Sequence, residues 1–273
     1  MSSKKPRTFP FAWGKRTYVM GIVNATPDSF SGDGRIDAPE AVAHALRQLD
    51  VGADLLDIGA ESTRPGHTPI DAREECDRLL PALRGLREAA PHAILSVDTY
   101  KSEVFRQARA AGADMLNSIW GLNDALLDAA VEFGVPAVVV HNKRVAEYAG
   151  DVVEEVLRWL EGQAMQAIRA GMAADHVILD PGIGFGKRPE HNLAVLKNLR
   201  RVSALGFPTL LGISRKSTIG LLTGKPVNDR VYGSAAAAAL AVAAGIDIVR
   251  VHDVAAMVDV VRVADAIGRR SSA

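Results

Sequence analysis

The chain predicts a (β/α)8 barrel with a short N-terminal hairpin covering one end, and three observations carry that expectation. Eight short apolar runs, rich in Val, Ile and Leu and lacking strict polar alternation, recur along 273 residues, as strands buried on both faces of a parallel sheet do. A helical pattern follows each run, so strands and helices match one for one. Eight βα units in about 250 residues is the size and rhythm of a closed barrel, and right-handed crossovers close it. A doubly wound open sheet is the alternative with the same alternation.

In order along the chain, a polar leader is followed by FPFAWGKRTY (9–18), which reads as a hairpin turning at Gly14. Leader and hairpin occupy 1–16, and a single barrel occupies 17–273. The first strand is YVMGIV (18–23), then come LLDI (55–58), AILSV (93–97), MLNSI (115–119), AVVV (137–140), VIL (177–179), TLLG (209–212) and IDIVRV (246–251). Helical patterns cover 39–51, 72–89, 101–111, 124–133, 152–170, 190–205, a broken stretch over 217–244, and 254–267. Small residues over 234–244 suit a helix packed closely on the barrel or on another subunit.

Composition narrows the function classes. Lys+Arg and Asp+Glu are both 32, so no basic face for nucleic acid is demanded and any anionic ligand must meet a local site. The single cysteine, Cys76, cannot form an intramolecular disulfide, which suits a reducing cytoplasm and a structural thiol. No apolar run approaches the roughly 20 residues that span a bilayer. The basic start MSSKKPR is not followed by a signal-peptide apolar region. A cytosolic protein is expected.

The chain is organised around LDPGIGFGK (179–187), where Asp180 ends a strand and Gly184 and Gly186 let the backbone turn tightly and approach a ligand. Taken alone, this could be a helix-capping Asp before a Gly-rich connection. The other strand ends repeat the pattern, with Asn24, Asp98, Asn117, His141, Ser214 and Lys216, then Arg250 and His252. In a barrel these positions form the mouth where ligands bind. Asp98, Asp180 and Asn117 offer groups suited to a flat heterocycle with amino and ring N–H donors. Arg250, His252 and Asn24 suit a phosphate or pyrophosphate with Mg²⁺. The mouth thus has two poles. Segments 24–34 and 61–67 read as mobile lids able to close over an anion.

The phrases MGIVNATPDSF (20–30), DIGAESTRPG (57–66), SVDT (96–99), LDPGIGFGK, GISRKS (212–217) and RVHDV (250–254) together resemble the dihydropteroate synthases, within the wider pterin-binding barrel group. That resemblance implies a (β/α)8 transferase of folate biosynthesis. It would join para-aminobenzoate to 6-hydroxymethyl-7,8-dihydropterin pyrophosphate and release pyrophosphate. It implies that Asp98, Asn117 and Asp180 hold the pterin, with Lys216 over its carbonyl and ring nitrogen. Asn24, Arg250 and His252 match the pyrophosphate group, Asn24 also facing Mg²⁺. Thr63, Arg64 and Pro65, with Phe30, Phe185, Lys216 and Ser217, resemble the surroundings of para-aminobenzoate, and hence a sulfonamide target. Asp98, Asp180, Lys216, Arg250 and His252 are the catalytic set so implied, and a cytoplasmic homodimer using the small-residue helix is the implied assembly.

The implied mechanism is dissociative, the C–O bond to pyrophosphate breaking before the arylamine attacks the pterin carbocation. The chain departs from the family's usual pattern at Gly32-Asp33, where the acid moves one place along, at Ala60, at Ser118, at Asn142-Lys143 and at Tyr232-Gly233-Ser234. A catalytically silent pterin-binding paralogue is one alternative, which the displaced Asp33 favours and Lys216, Arg250 and His252 oppose. A methyltetrahydrofolate:corrinoid methyltransferase is another, and it would need neither Lys216 nor the RVH phrase. A Schiff base on Lys216 finds no other aldolase signal beside it, and His141, His191 and His252 lack zinc-ligand spacing.

Overall fold

Apolar runs too short for helices form eight parallel strands: β1 (Tyr18–Asn24), β2 (Leu55–Gly59), β3 (Ile94–Asp98), β4 (Met115–Ser118), β5 (Ala137–Val140), β6 (Val177–Asp180), β7 (Leu210–Gly212) and β8 (Ile248–Val251). The computed structural model describes residues 9–25, 38–61 and 68–269. The hydrogen-bonded order is β6-β5-β4-β3-β2-β1-β8-β7. Its two ends meet where Leu179 bridges to Thr209 and donates its N–H to the Pro208 carbonyl at 2.8 Å. The sheet is therefore a closed (β/α)8 ring. A doubly wound sheet would have left β6 and β7 as open edges.

Ten helices surround the strands among the described residues: α1 (Ala38–Asp50), α2 (Ala72–Ala89), α3 (Ser102–Ala110), α4 (Asp124–Phe133), α5 (Val152–Arg169), α6 (Pro189–Lys197), α7 (Leu199–Ser203), α8 (Ser217–Thr223), α9 (Val231–Ala243) and α10 (Val254–Gly268). Side-chain caps start three of them, Asp71 for α2, Asn123 for α4 and Asp151 for α5. The helix expected over 190–205 is two, because Asn198 leaves helical geometry between α6 and α7. The broken pattern over 217–244 resolves as α8 and α9. Gly224 ends α8 at φ +68 and Pro226 keeps the helix from resuming at once. No helix among the described residues is long and apolar enough to cross a membrane.

Alternation along the strands divides the residues between two sides. Val23, Leu56, Ile58, Leu95, Val97, Leu116, Val139, Leu179, Leu211 and Val249 pack against the helices. Tyr18, Met20, Leu55, Ile94, Met115, Val138, Ile178, Leu210 and Ile248 fill the interior near the strand starts. Two residues further along, the same inward row turns polar, with Asp57, Ser96, Asn117, Asp180 and Arg250. The barrel is thus plugged with hydrocarbon below and lined with polar groups above.

The N-terminal segment covers the lower end of the barrel as expected, but not as a hairpin. Both edges of β1 are occupied, by β2 and β8, so no strand partner is available to 9–16. Aromatic stacking takes the place of strand pairing. Phe11 lies 4.4 Å from Trp13 and 5.1 Å from Tyr18 between ring centroids, and Phe9, Phe11 and Trp13 all pack on the interior cluster. Gly14, at φ +75, makes the expected turn, and its N–H donates to Asp247 Oδ1 at 3.0 Å. Cys76, on α2, is buried in the outer core.

Candidate active site

The floor of the mouth is built around Asp57, a carboxylate with 0% exposure in the middle of β2. Ser96 Oγ donates to its Oδ1 at 2.6 Å, while Asn117 Nδ2 at 2.9 Å and Arg250 Nε at 2.6 Å donate to its Oδ2. Because a carboxylate only accepts, Asn117 must turn its NH₂ toward Asp57 and present its carbonyl oxygen elsewhere. Arg250 also donates from Nη2 to Asp98 Oδ2 at 3.0 Å. Two acceptors then remain buried without a partner, Asp98 Oδ1 and Asn117 Oδ1, on residues paired across β3 and β4. Burial pushes the Asp98 carboxyl up from its ordinary value, the Arg250 guanidinium opposing and the Asp57 charge reinforcing that shift. Unpaired buried acceptors are costly, so this floor is shaped for a ligand that brings donors.

The loop after β6 forms the adjacent wall. Asp180 is buried, accepts the Gly182 N–H at 2.7 Å through Oδ1, and has its pKa raised by desolvation, which Lys216 opposes. Gly182, Gly184 and Gly186 all have positive φ, so the loop's carbonyls turn in different directions. Those of Gly182 and Phe185 accept from Lys187 Nζ at 3.0 and 3.2 Å, and that of Ile183 accepts from Lys216 Nζ. Lys187 also contacts His141 Nδ1 at 2.8 Å, and burial holds this lysine down to about 7 and the histidine down to about 3. Tyr148 OH on Gly186 O at 2.9 Å and Asn192 Oδ1 under the Gly184 N–H at 2.8 Å complete the brace.

A Cβ added at Gly182 would stand 1.8 Å from the backbone oxygen of His141, at φ +69. Gly182→Ala should therefore lower the unfolding free energy by about 2–5 kcal/mol, the sum of overpacking and left-handed strain. Urea denaturation reads this directly, and a change under about 1 kcal/mol would contradict the assigned role of the loop.

Lys216 enters from the loop after β7. Its ammonium lies 4.3 Å from the centroid of Phe185, and burial lowers its pKa to about 8 although Asp180 pulls the other way. His252 follows β8. Ser214 Oγ accepts its backbone N–H at 3.1 Å and meets its ring Nδ1 at 3.1 Å. That contact fixes the orientation of the His252 ring. Asn24 ends β1, half-buried, on the inward row of Met20 and Ile22.

The structure brings Asp98, Asn117, Asp180, Lys216 and Arg250 to one mouth, with Phe185 beside Lys216, His252 two residues beyond Arg250, and Ser217 exposed as the first residue of α8. The separation into two poles is less complete than residue types imply, since Arg250 is committed to Asp57 and Asp98 at the heterocycle pole. His141 follows inward Val140 and braces the loop after β6 rather than facing the interior. Alternation also turns Ser118, where the family's usual pattern has an aspartate, away from the pocket, so that departure removes no carboxylate from the mouth. Phe30, Asp33, Thr63, Arg64 and Pro65 lie outside the described residues. Asp57 and Lys187 were missed. The signal for Asp57 was a lone acid inside an apolar run, and for Lys187 a lysine closing a Gly-rich loop.

A family model described as pterin binding enzyme matches residues 20–252. The dihydropteroate synthase of Clostridium beijerinckii is 42% identical over 264 residues, covering 95% of this chain and 97% of that one. A dihydropteroate synthase structure from Clostridium difficile, obtained in the presence of pteroic acid, superposes with a TM-score of 0.92 at 39% identity, covering 95% of this chain and 100% of that one. The Xanthomonas albilineans dihydropteroate synthase with 4-aminobenzoic acid gives 0.89 at 46% identity, covering 93% and 94%.

Proposed function

Because the chain belongs to the pterin-binding enzymes and, within them, to the dihydropteroate synthases, we propose a division of labour among its own residues for that reaction. The reaction transfers a dihydropterin methylene from pyrophosphate to the amine of para-aminobenzoate, giving 7,8-dihydropteroate and pyrophosphate. One observation carries the assignment: the paired, buried and unpartnered oxygens Asp98 Oδ1 and Asn117 Oδ1, with Asp180 along the wall and the Lys216 ammonium opposite. A pterin edge of amino and ring N–H donors beside one carbonyl is the complement of that set.

As the C–O bond breaks, its electron pair leaves with pyrophosphate, and positive charge spreads over the pterin. Asp98 and Asp180, poorly solvated and fixed in place, stabilise that charge. The His252 ring donates to the leaving oxygens, and the Arg250 guanidinium, charge-paired with Asp57 and Asp98, lies beneath them. The arylamine then forms the C–N bond with its lone pair and gives up its proton to the departing pyrophosphate or to water, beside Phe185, Lys216 and Ser217. The family resemblance assigns Thr63, Arg64, Pro65 and Phe30, which lie outside the described residues, to the same substrate. This is also the surface for which a sulfonamide would compete.

Asn24 fits Mg²⁺ as a single hard oxygen ligand. No group of three or more His, Cys, Asp or Glu among the described residues could hold an ion by itself, so substrate phosphates and water would supply the other oxygens, as this ion favours. Bound there, it would neutralise charge on the leaving group.

The purified protein, given Mg²⁺ and dihydropterin pyrophosphate, should release pyrophosphate and form dihydropteroate only when para-aminobenzoate is added. Pterin binding without turnover would favour the silent paralogue. Affinity for hydroxymethyl-dihydropterin should also depend on pH. The Lys216 amine, charged below about 8 and neutral above, should cost affinity up to tenfold per pH unit on the alkaline side. Asp98, with its raised pKa, should cost affinity on the acid side as it protonates. Calorimetric titration from pH 6 to 10 tests this, and an alkaline limb that survives Lys216→Arg would refute the lysine assignment.

An apolar flank supports a homodimer. Tyr232 and Leu240 on α9 are 86% and 70% exposed, and Ile267 on α10, packed beside α9, is 83% exposed. Ala238, Ala241 and Val242 meanwhile turn inward to the barrel. The small-residue helix thus serves the barrel and offers its other face to a second copy. A cytoplasmic location accords with the single buried thiol.

A further inference from the structure

The loops after β7 and β8 are cross-linked at two consecutive residues of each. Ser214 holds His252, and the next residue, Arg215, forks onto the next, Asp253, with Nε to Oδ2 at 2.9 Å and Nη2 to Oδ1 beside it. Arg215 has φ +58 and is the one non-glycine with positive φ among the described residues. At that φ a Cβ crowds the following carbonyl, so a chain needing only the turn uses glycine, as this one does at every other such position described. Two more bonds hold Arg215 there: its N–H donates to Ser234 Oγ at 3.0 Å, and its carbonyl accepts from Arg230 Nη1 at 2.9 Å. Arg230 reaches the Lys216 carbonyl as well, at 3.3 Å. Residues 214–216 and 252–253 thus behave as one braced plate, with the Lys216 ammonium over Phe185 at one end and the His252 ring at the other.

We propose that the Arg215–Asp253 ion pair is a positioning device that fixes Lys216 and His252 relative to one another, so that the pterin-side cation and the ring facing the leaving group engage one substrate together. Neither residue of the pair contacts substrate in this scheme, which rests on the roles given above to Lys216 and His252. The arginine is retained in a glycine conformation because its fork, and not its backbone, is what the site needs.

Arg215→Gly, Asp253→Asn and the double variant separate this role from a structural one. Glycine takes the left-handed conformation without steric cost, which offsets the lost ion pair, so Arg215→Gly should melt close to wild type while kcat falls about ten- to hundredfold. Asp253→Asn keeps the shape of the side chain and should lose kcat to a similar degree, with KM for para-aminobenzoate changing less. The double variant should be no slower than either single one, because the two residues act as a unit. Wild-type kcat in Arg215→Gly, losses that multiply in the double variant, or melting temperatures that fall in step with kcat would overturn the proposal. Wild-type enzyme that makes no dihydropteroate would instead overturn the reading of the site, and the proposal with it.

Discussion

Asp57→Ala should be the most damaging single truncation at the mouth, although Asp57 has no exposed surface. Its two oxygens accept from Ser96, Asn117 and Arg250. Removing them leaves the Arg250 guanidinium with Asp98 as its remaining carboxylate and frees the Asn117 amide to rotate. Breaking a buried charge pair from one side costs about 3–5 kcal/mol, a large share of the roughly 5–15 kcal/mol that holds a domain folded. The rotated amide would also withdraw the acceptor proposed for the pterin. Denaturant unfolding should therefore show the stability loss, and calorimetry should show lost pterin affinity in whatever fraction remains folded. Asp57→Asn is a milder companion that isolates the charge, because its NH₂ can face the Ser96 hydroxyl, which turns to accept, while its oxygen keeps Asn117 and Arg250. Unfolding free energy within about 0.5 kcal/mol of wild type, together with unchanged affinity, would remove Asp57 from the centre of the site.

Asp180→Ala should nearly abolish pterin binding through the ligand itself. The buried carboxylate would lose two parallel charge-assisted bonds, each contributing about 1.5–3 kcal/mol, and the ring's donors would stay unpaired. Affinity should drop by about 10²–10⁴. Part of the effect runs through the protein, since Asp180 Oδ1 also accepts the Gly182 N–H at 2.7 Å and so helps shape the loop that carries Phe185 and Ile183. Asp180→Asn separates the two contributions: its oxygen can still accept from Gly182, while its NH₂ opposes a ligand donor. Binding of hydroxymethyl-dihydropterin to Asp180→Ala at wild-type strength would refute the pterin pocket as drawn.

The strand ends were legible because a barrel gives them a fixed meaning. Asp98 and Asp180 directly follow short apolar runs, Lys216 comes four residues after one, and Asn117 and Arg250 lie within theirs close to the strand ends, so their types alone indicated a polar mouth over an apolar plug. Asp57 was not legible in that way. It sits inside LLDIG, and in a strand buried on both faces neither neighbour tells which residues turn inward. Ring closure decides that, bringing Arg250 across 193 residues of sequence to within 2.6 Å.

The same distinction explains the other surprises. Aromatic content over 9–18 correctly suggested a cover for one end, but whether it pairs as a strand depends on a free edge, and closure leaves β1 none. His141 reads as one more strand-end ligand until alternation places it behind Val140, where Lys187 holds it. By itself, then, the sequence determined the number and order of the βα units and the chemical types at their ends, because hydrophobic period and turn residues are local properties. Only the tertiary structure decided which of those groups face one another and which carboxylate organises them, because inward direction and buried charge pairing exist only once the ring has closed.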